Sequence, residues 1–240
     1  MPPQAEAPGL VLGVFGYSGR LGGAITASAA AAGIPVSLQV SRRGAVETAV
    51  PTVVVDASSR DGSRAAAAYC LKHRLPLLEL VSSLGEAELA ALRRLAEVRA
   101  VLRAVNLARL HDVQLRLAET LAEVAGALGA EVTVLDRHPA TKADRPSGTA
   151  RRLSEVLGAG GRPVTVESAR YGLPVSDHTI VVTAGQEVLT VTHSVVSLNG
   201  VADRCLGLAR RLQAQPAGLW STGDVERGPS GPGPDGGGTR

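Results

Sequence analysis

One short stretch, His138-Pro139-Ala140-Thr141-Lys142-Ala143-Asp144-Arg145-Pro146-Ser147-Gly148-Thr149-Ala150, gathers the side chains best suited to acid–base chemistry. Lys142 is one of two lysines in the chain, the other being Lys72, while arginine supplies every other basic side chain. An ammonium is a compact charge with a tunable pKa, whereas a guanidinium keeps its proton throughout. His138 precedes a proline, which favours an extended backbone, and imidazole ordinarily changes charge near neutrality. It is a candidate proton donor. Pro146-Ser147-Gly148-Thr149 looks like a helix start that Ser147 or Thr149 can cap, with Gly148 allowing close approach of a ligand. Free N–H groups at such a start suit a carboxylate or phosphate. As a plain capped loop the segment needs no function; its place directly after His138 and Lys142 favours one.

A second stretch suits a cofactor. Gly16, Gly19 and Gly22 have the G-x-x-G-x-x-G spacing of a dinucleotide loop, with Tyr17, Ser18, Arg20 and Leu21 filling it. The glycines permit a tight turn and close approach of a pyrophosphate to the free N–H groups of a helix start. The loop follows a strand and opens a helix, the context the fingerprint requires. At the end of the second strand stand Ser41, Arg42 and Arg43, with no carboxylate for a ribose 2′-hydroxyl. Two cations there favour a 2′-phosphate, hence NADPH, with NADH possible.

The elements that must position these groups read as an α/β chain. Residues 10–15 form a nearly all-apolar run, as a buried parallel strand does. Strands follow at 35–40, 51–55, 75–80 and 100–104, with helices at 21–32, 62–73 and 86–98. This βαβ alternation predicts a doubly wound parallel sheet of the Rossmann type. After Asn106 the rhythm changes. A long helix at 110–128 carries apolar residues at Leu110, Val113, Leu117, Leu121 and Val124. A strand at 131–135 leads into the His138 loop, and a helix runs from 149 to 157. Strands at 164–168, 178–183 and 188–193 and a helix at 201–213 complete an α+β domain with an open mixed sheet. The expected division is 1–108, completed by 205–227, for the dinucleotide domain and 109–204 for substrate binding and oligomerisation. The Gly- and Pro-rich stretch 228–240 is expected to be disordered.

Composition narrows the function. At 240 residues with 45% apolar and 20% charged residues, the chain has the make-up of a soluble globular protein. The net charge of +3 comes without a long basic run or aromatic platform, which argues against nucleic acid. Cys70 and Cys205 match no metal or redox spacing, and the histidines show no metal-ligand spacing. No apolar run reaches membrane-spanning length. A reducing cytoplasm is the expected compartment. His73, His178 and His193 read as solvated or packing residues.

The chain resembles the 4-hydroxy-tetrahydrodipicolinate (dihydrodipicolinate) reductase family over most of residues 10–225. The strongest match is His138-x-x-x-Lys142-x-Asp144-x-Pro146-Ser147-Gly148-Thr149-Ala150 against the family's H-H-x-x-K-x-D-x-P-S-G-T-A. Support comes from Gly16-x-x-Gly19-Arg20-Leu21-Gly22, Val53 to Asp56, Asn106, Asp177-His178, Thr192-His193 and Gly218-Leu219-Trp220. The resemblance implies hydride transfer from NAD(P)H to a cyclic unsaturated imine dicarboxylate in diaminopimelate and lysine biosynthesis. His138 is then the proton donor, Lys142 its assistant, and Ser147, Gly148 and Thr149 the carboxylate grip. Ser82 and Asn106 fall beside the cofactor, and the family forms homotetramers, a dimer being the smaller option here. Three positions depart from the pattern: Pro139 replaces the second histidine, Leu80-Val81-Ser82-Ser83 replaces G-T-T-G, and Leu198 replaces an arginine. They keep open a member that reduces a different imine, or a non-catalytic NADPH-binding homologue.

Overall fold

The computed structural model describes residues 9–104, 106–172 and 176–227, so the expected disordered stretch 228–240 lies outside the described residues. The chain divides into two compact units, Met1–Val105 with Ala202–Arg240, and Asn106–Val201. Among the described residues no helix is long and apolar enough to cross a membrane.

Unit 1 opens with β1 (Leu12–Phe15), α1 (Arg20–Ala31), β2 (Val36–Ser41), β3 (Gly44–Glu47), β4 (Val53–Asp56), α2 (Arg60–His73), β5 (Leu77–Glu79), α3 (Glu86–Ala96) and β6 (Ala100–Arg103). Unit 2 holds α4 (Arg109–Leu128), β7 (Glu131–His138), α5 (Gly148–Leu157), β8 (Thr165–Arg170), β9 (Ser176–Ala184) and β10 (Glu187–Val195). The chain then continues through α6 (Asn199–Leu212), β11 (Gly218–Trp220) and α7 (Thr222–Arg227).

In unit 1 the short apolar runs lack polar alternation because both faces of the sheet are covered. Every residue of β1, β4 and β5 is buried. The strand order is β11-β6-β5-β4-β1-β2-β3, parallel throughout except for β3, which pairs antiparallel with β2. The chain leaves β1 for β2 on one side and β4 lies on the other, a switch point of the doubly wound kind. Val54, Leu77, Leu92, Leu95 and Val101 lie at the centre of its core. The sequence reading has no strand at β3: all four of its residues are exposed, so they carry no apolar run.

Unit 2 is a four-stranded sheet in the order β10-β9-β7-β8, with β7 and β8 parallel and the other pairs antiparallel. α4 and α5 pack on it through Ala118, Ala125, Leu153 and Leu157 against Val132, Val134 and Ile180. Here the sequence reading of α4 needs correction. Of the apolar row that looked like its core face, only Leu121 is buried; Leu110, Val113, Leu117 and Val124 are exposed. The buried face is His111, Gln114, Ala118, Leu121 and Ala125. Small residues let the helix approach the sheet closely, and this turns the larger leucines and valines outward.

Candidate active site

Alternation along β7 builds the site. Its inward row runs Val132, Val134, Asp136, His138, and all four are buried, so two polar groups continue a hydrophobic stripe at the strand's end. The sheet register sets their neighbours: Asp136 lies opposite Ser168 on β8 and His178 on β9, and His138 lies opposite Arg170. Arg137 turns to the other face and pairs with Asp177.

Asp136 is the hub. Its Oδ2 accepts hydrogen bonds from the Ser147 N–H at 2.9 Å, Ser168 Oγ at 2.9 Å and Arg170 Nη2 at 2.8 Å. Its Oδ1 faces His138 Nε2 at 3.0 Å and His178 Nε2 at 3.3 Å. The two imidazole Nε2 atoms are 3.3 Å apart, and Ser147 Oγ lies 3.0 Å from His178 Nε2. Burial alone would raise the Asp136 pKa, but the bonds from His138, His178, Ser147 and Arg170 outweigh it and hold the carboxyl below its usual range. Asp136 is therefore ionised, and any proton arriving at His138 meets a fixed negative charge. Burial pushes His178 down, with nearby His138 adding to the effect, so this second imidazole stays neutral.

The Asp136, His138 and His178 ligand atoms lie within 4.8 Å of one another, close enough to share a metal ion. Arg170 already neutralises the carboxylate, however, with neither side chain exposed. A divalent ion would bring uncompensated positive charge into a buried place. Hydrogen bonding accounts for the cluster without one.

The loop beyond β7 carries the remaining groups. The Lys142 N–H donates to Pro139 O at 3.0 Å, closing a turn, and the Lys142 ammonium meets Asp144 Oδ1 at 2.8 Å. Burial opposes ionisation of Asp144, but Lys142 wins and holds its pKa down. Ser147 caps α5: its Oγ accepts the Ala150 N–H at 3.1 Å. Since its own N–H is given to Asp136, the free donors expected over Ser147 to Thr149 narrow to Gly148 and Thr149. Asn106 falls in unit 2, where its amide donates to Thr149 Oγ1 at 3.2 Å and its Oδ1 accepts the Ala108 N–H.

In unit 1, Gly16 to Gly19 form the turn between β1 and α1, with Tyr17 and Ser18 inside it, and Arg20 and Leu21 lie in the first turn of the helix. Gly16 has φ +79°, and a Cβ there would lie 2.6 Å from Ala57 O. At Gly22 a Cβ would lie 2.1 Å from Gly16 O, so this turn tolerates no side chain at either place. Gly19 is the N-cap of α1, with no side-chain cap and no acidic residue in the first turn. That leaves an uncapped, positively polarised helix start, which fits a pyrophosphate. Arg42 and Arg43 form the two-residue loop of the β2–β3 hairpin, exposed, with Ser41 Oγ accepting the Arg43 N–H at 3.1 Å. Ser82 lies just past β5, beyond Glu79, whose carboxyl accepts the Val81 N–H at 2.8 Å. The residues present fit a pyridine dinucleotide phosphate.

Sequence reasoning missed Asp136, Ser168 and Arg170, and set His178 aside as a packing residue. The legible signal was the alternation itself: a strand read three residues further, to His138, places Asp136 on the inward face.

Comparisons with known proteins bear on the chain as a whole. A family model described as "Dihydrodipicolinate reductase, C-terminus" matches residues 112–225. The chain is 27% identical over 213 residues to the 4-hydroxy-tetrahydrodipicolinate reductase of Thermosipho africanus, covering 89% of this chain and 96% of that one. It is 34% identical over 175 residues to the same enzyme of Xanthomonas axonopodis pv. citri, covering 72% of each. Among solved structures it is similar to the dipicolinate-bound dihydrodipicolinate reductase of a Paenisporosarcina species, at TM-score 0.61 and 14% identity, over 89% of this chain and 97% of that one. A likeness over this span and at this identity leaves one reading: the chain belongs to the 4-hydroxy-tetrahydrodipicolinate reductase family and is an oxidoreductase of that type.

Proposed function

We propose that the protein reduces a cyclic, conjugated imine carboxylate with NADPH, and that 4-hydroxy-tetrahydrodipicolinate is the substrate, its 4-hydroxyl leaving as water to give the conjugated imine that takes the hydride. The observation that carries this reading is the junction of β7 and α5, where a buried imidazole on an ionised carboxylate adjoins a helix start suited to an anion. NADPH, when bound, supplies the hydride; the backbone from Gly16 to Leu21 holds its pyrophosphate and Arg42 and Arg43 its 2′-phosphate. His138 gives a proton to the carbon that becomes electron-rich as hydride adds, and Asp136 stabilises the imidazolium that carries the proton beforehand. Lys142 offsets negative charge on the substrate. The Gly148 and Thr149 N–H groups receive a carboxylate, with Asn106 orienting Thr149. The protein works as a homo-oligomer, a reading supported by the exposed Val188 and Leu189 on β10. The test is NADPH oxidation with freshly generated 4-hydroxy-tetrahydrodipicolinate; a protein that binds NADPH yet turns over no cyclic imine sinks the proposal.

A second reading rests on Pro139. Proline has no side-chain donor, and here its carbonyl is engaged by Lys142. The site therefore offers one fewer cation to a second carboxylate, which favours an imine with a single carboxylate. Side-by-side turnover of mono- and dicarboxylate imines decides between the two.

A further inference from the structure

His178 sits at the crossing of three parts of the site: the carboxylate of Asp136, the donor His138 and the cap of α5. It is 2% exposed, and its Nδ1 is buried with no hydrogen-bond partner among the described residues. A buried N–H without an acceptor costs more than a lone pair without a donor, so the proton belongs on Nε2. From Nε2 the hydrogen-bonding neighbours are Ser147 Oγ at 3.0 Å and His138 Nε2 at 3.3 Å, with the charged Asp136 Oδ1 also 3.3 Å away. Gln114 on α4 fixes this stretch of β9 from behind, its Nε2 donating to the His178 carbonyl at 2.7 Å. The ring of His178 meets the ring of His138 edge-on, with centroids 5.1 Å apart.

We propose that His178 is a positioning residue: an Nε2–H imidazole that sits between His138 and Ser147 beside the Asp136 carboxylate, and thereby holds His138 in register with the anion-binding start of α5. The proposal rests on the reading of His138 as proton donor and adds a residue that touches neither substrate nor cofactor. Two otherwise separate tasks, gripping an anion at Gly148 and Thr149 and delivering a proton from His138, then share one rigid support. The charged and titratable groups around this imidazole are Asp136 and His138 on β7, Arg170 on β8, Asp177 on β9, His193 opposite it on β10, and His111 on α4.

The deciding experiment is long-range proton–nitrogen NMR of the histidine side chains in the ligand-free full-length protein. His178 is expected as the Nε2–H tautomer and neutral near pH 7; an Nδ1–H tautomer or a charged ring overturns the proposal. Two variants extend the test. His178→Gln can place an amide nitrogen where Nε2 stood, whereas the shorter side chain of His178→Asn cannot reach it. The Gln variant is expected to keep the His138 signals and most of kcat. The Asn variant is expected to move the His138 ring signals and lower kcat by roughly tenfold or more, with NADPH affinity unchanged. Equal behaviour of the two folded variants overturns the positioning role. If the unmodified protein shows no imine turnover, the NMR result still stands or falls alone, so failure of the functional reading and of this inference are distinguishable.

Discussion

Unit 1 buries Asp56 and Glu79 side by side at the ends of β4 and β5, and unit 2 buries Asp136 near the end of β7, yet their surroundings differ in sign. The unit 1 pair is held by neutral donors only: the Ser58 N–H and Oγ on Asp56, and Ser63 Oγ with the Val81 N–H on Glu79. Among the described contacts no cation reaches either carboxyl. Burial, and for Glu79 the neighbouring Asp56, raise both pKa values, Glu79 to about 8. Asp136 has Arg170 and four other donors and is held down. Burial alone does not decide a carboxyl's charge; what decides is whether a cation and enough N–H groups are buried with it. Unit 1 thus holds a proton at neutral pH, and unit 2 a negative charge.

Removing the charge in unit 2 should have the largest effect. Asp136→Asn leaves Arg170 buried without its anion, and we expect a loss of about 3–5 kcal/mol, read by denaturant unfolding. Glu79→Gln, removing a group that is already neutral, should cost far less. Comparable losses from both would break the contrast.

Next is His138→Ala, expected to lower turnover by roughly 10²-fold or more while leaving NADPH affinity unchanged, since the dinucleotide loop belongs to unit 1. Full activity in that variant would make the imidazole structural. Calorimetric titration with NADPH provides the control.

The pH responses should run in opposite directions. Glu79 has a folded pKa above its unfolded value, so its contribution is present at acid pH and is lost as pH rises towards about 8. Asp136 has a folded pKa below its unfolded value, so its contribution is present above about pH 4 and is lost as pH falls through that range. Each slope is at most about 1.4 kcal/mol per pH unit. Trp220, the single tryptophan, is buried in β11 and reports on unit 1 by fluorescence. Its unfolding midpoint should fall between about pH 6 and pH 8, and Glu79→Gln should flatten that fall. A flat profile in the unmodified protein would remove the proton from the unit 1 pair.

The smallest effect concerns the cofactor. Replacing Arg42 and Arg43 together with Ala should erase a preference for NADPH over NADH on the order of tenfold, about 1.4 kcal/mol. Equal affinities before the change would return the hairpin loop to an ordinary solvated turn.

The division between what was legible and what was not follows the same contrast. Local signals sufficed for unit 1, because a parallel strand buried on both faces is simply apolar and its glycine loop must sit next to it. His138 and the cap at Ser147 were legible for the same reason, each marked by an adjacent proline. Asp136, Arg170 and His178 were not, since their roles arise from pairing across β7, β8 and β9, and register between distant strands leaves no local mark. The α4 face was misread because size was not weighed against hydrophobicity: alanines and Gln114 face the sheet where closeness matters, and larger side chains stay outside.

The last strand of unit 1, β11, lies beside β6 although the whole of unit 2 separates them in the chain. During synthesis the sheet therefore stands with β6 as a bare edge while unit 2 is made, a wait on the order of 5–20 s at ordinary translation rates. An edge left open that long invites pairing with another chain, and the cell must carry the nascent protein through it. Unit 2, whose sheet uses only its own consecutive residues, can complete itself within that interval.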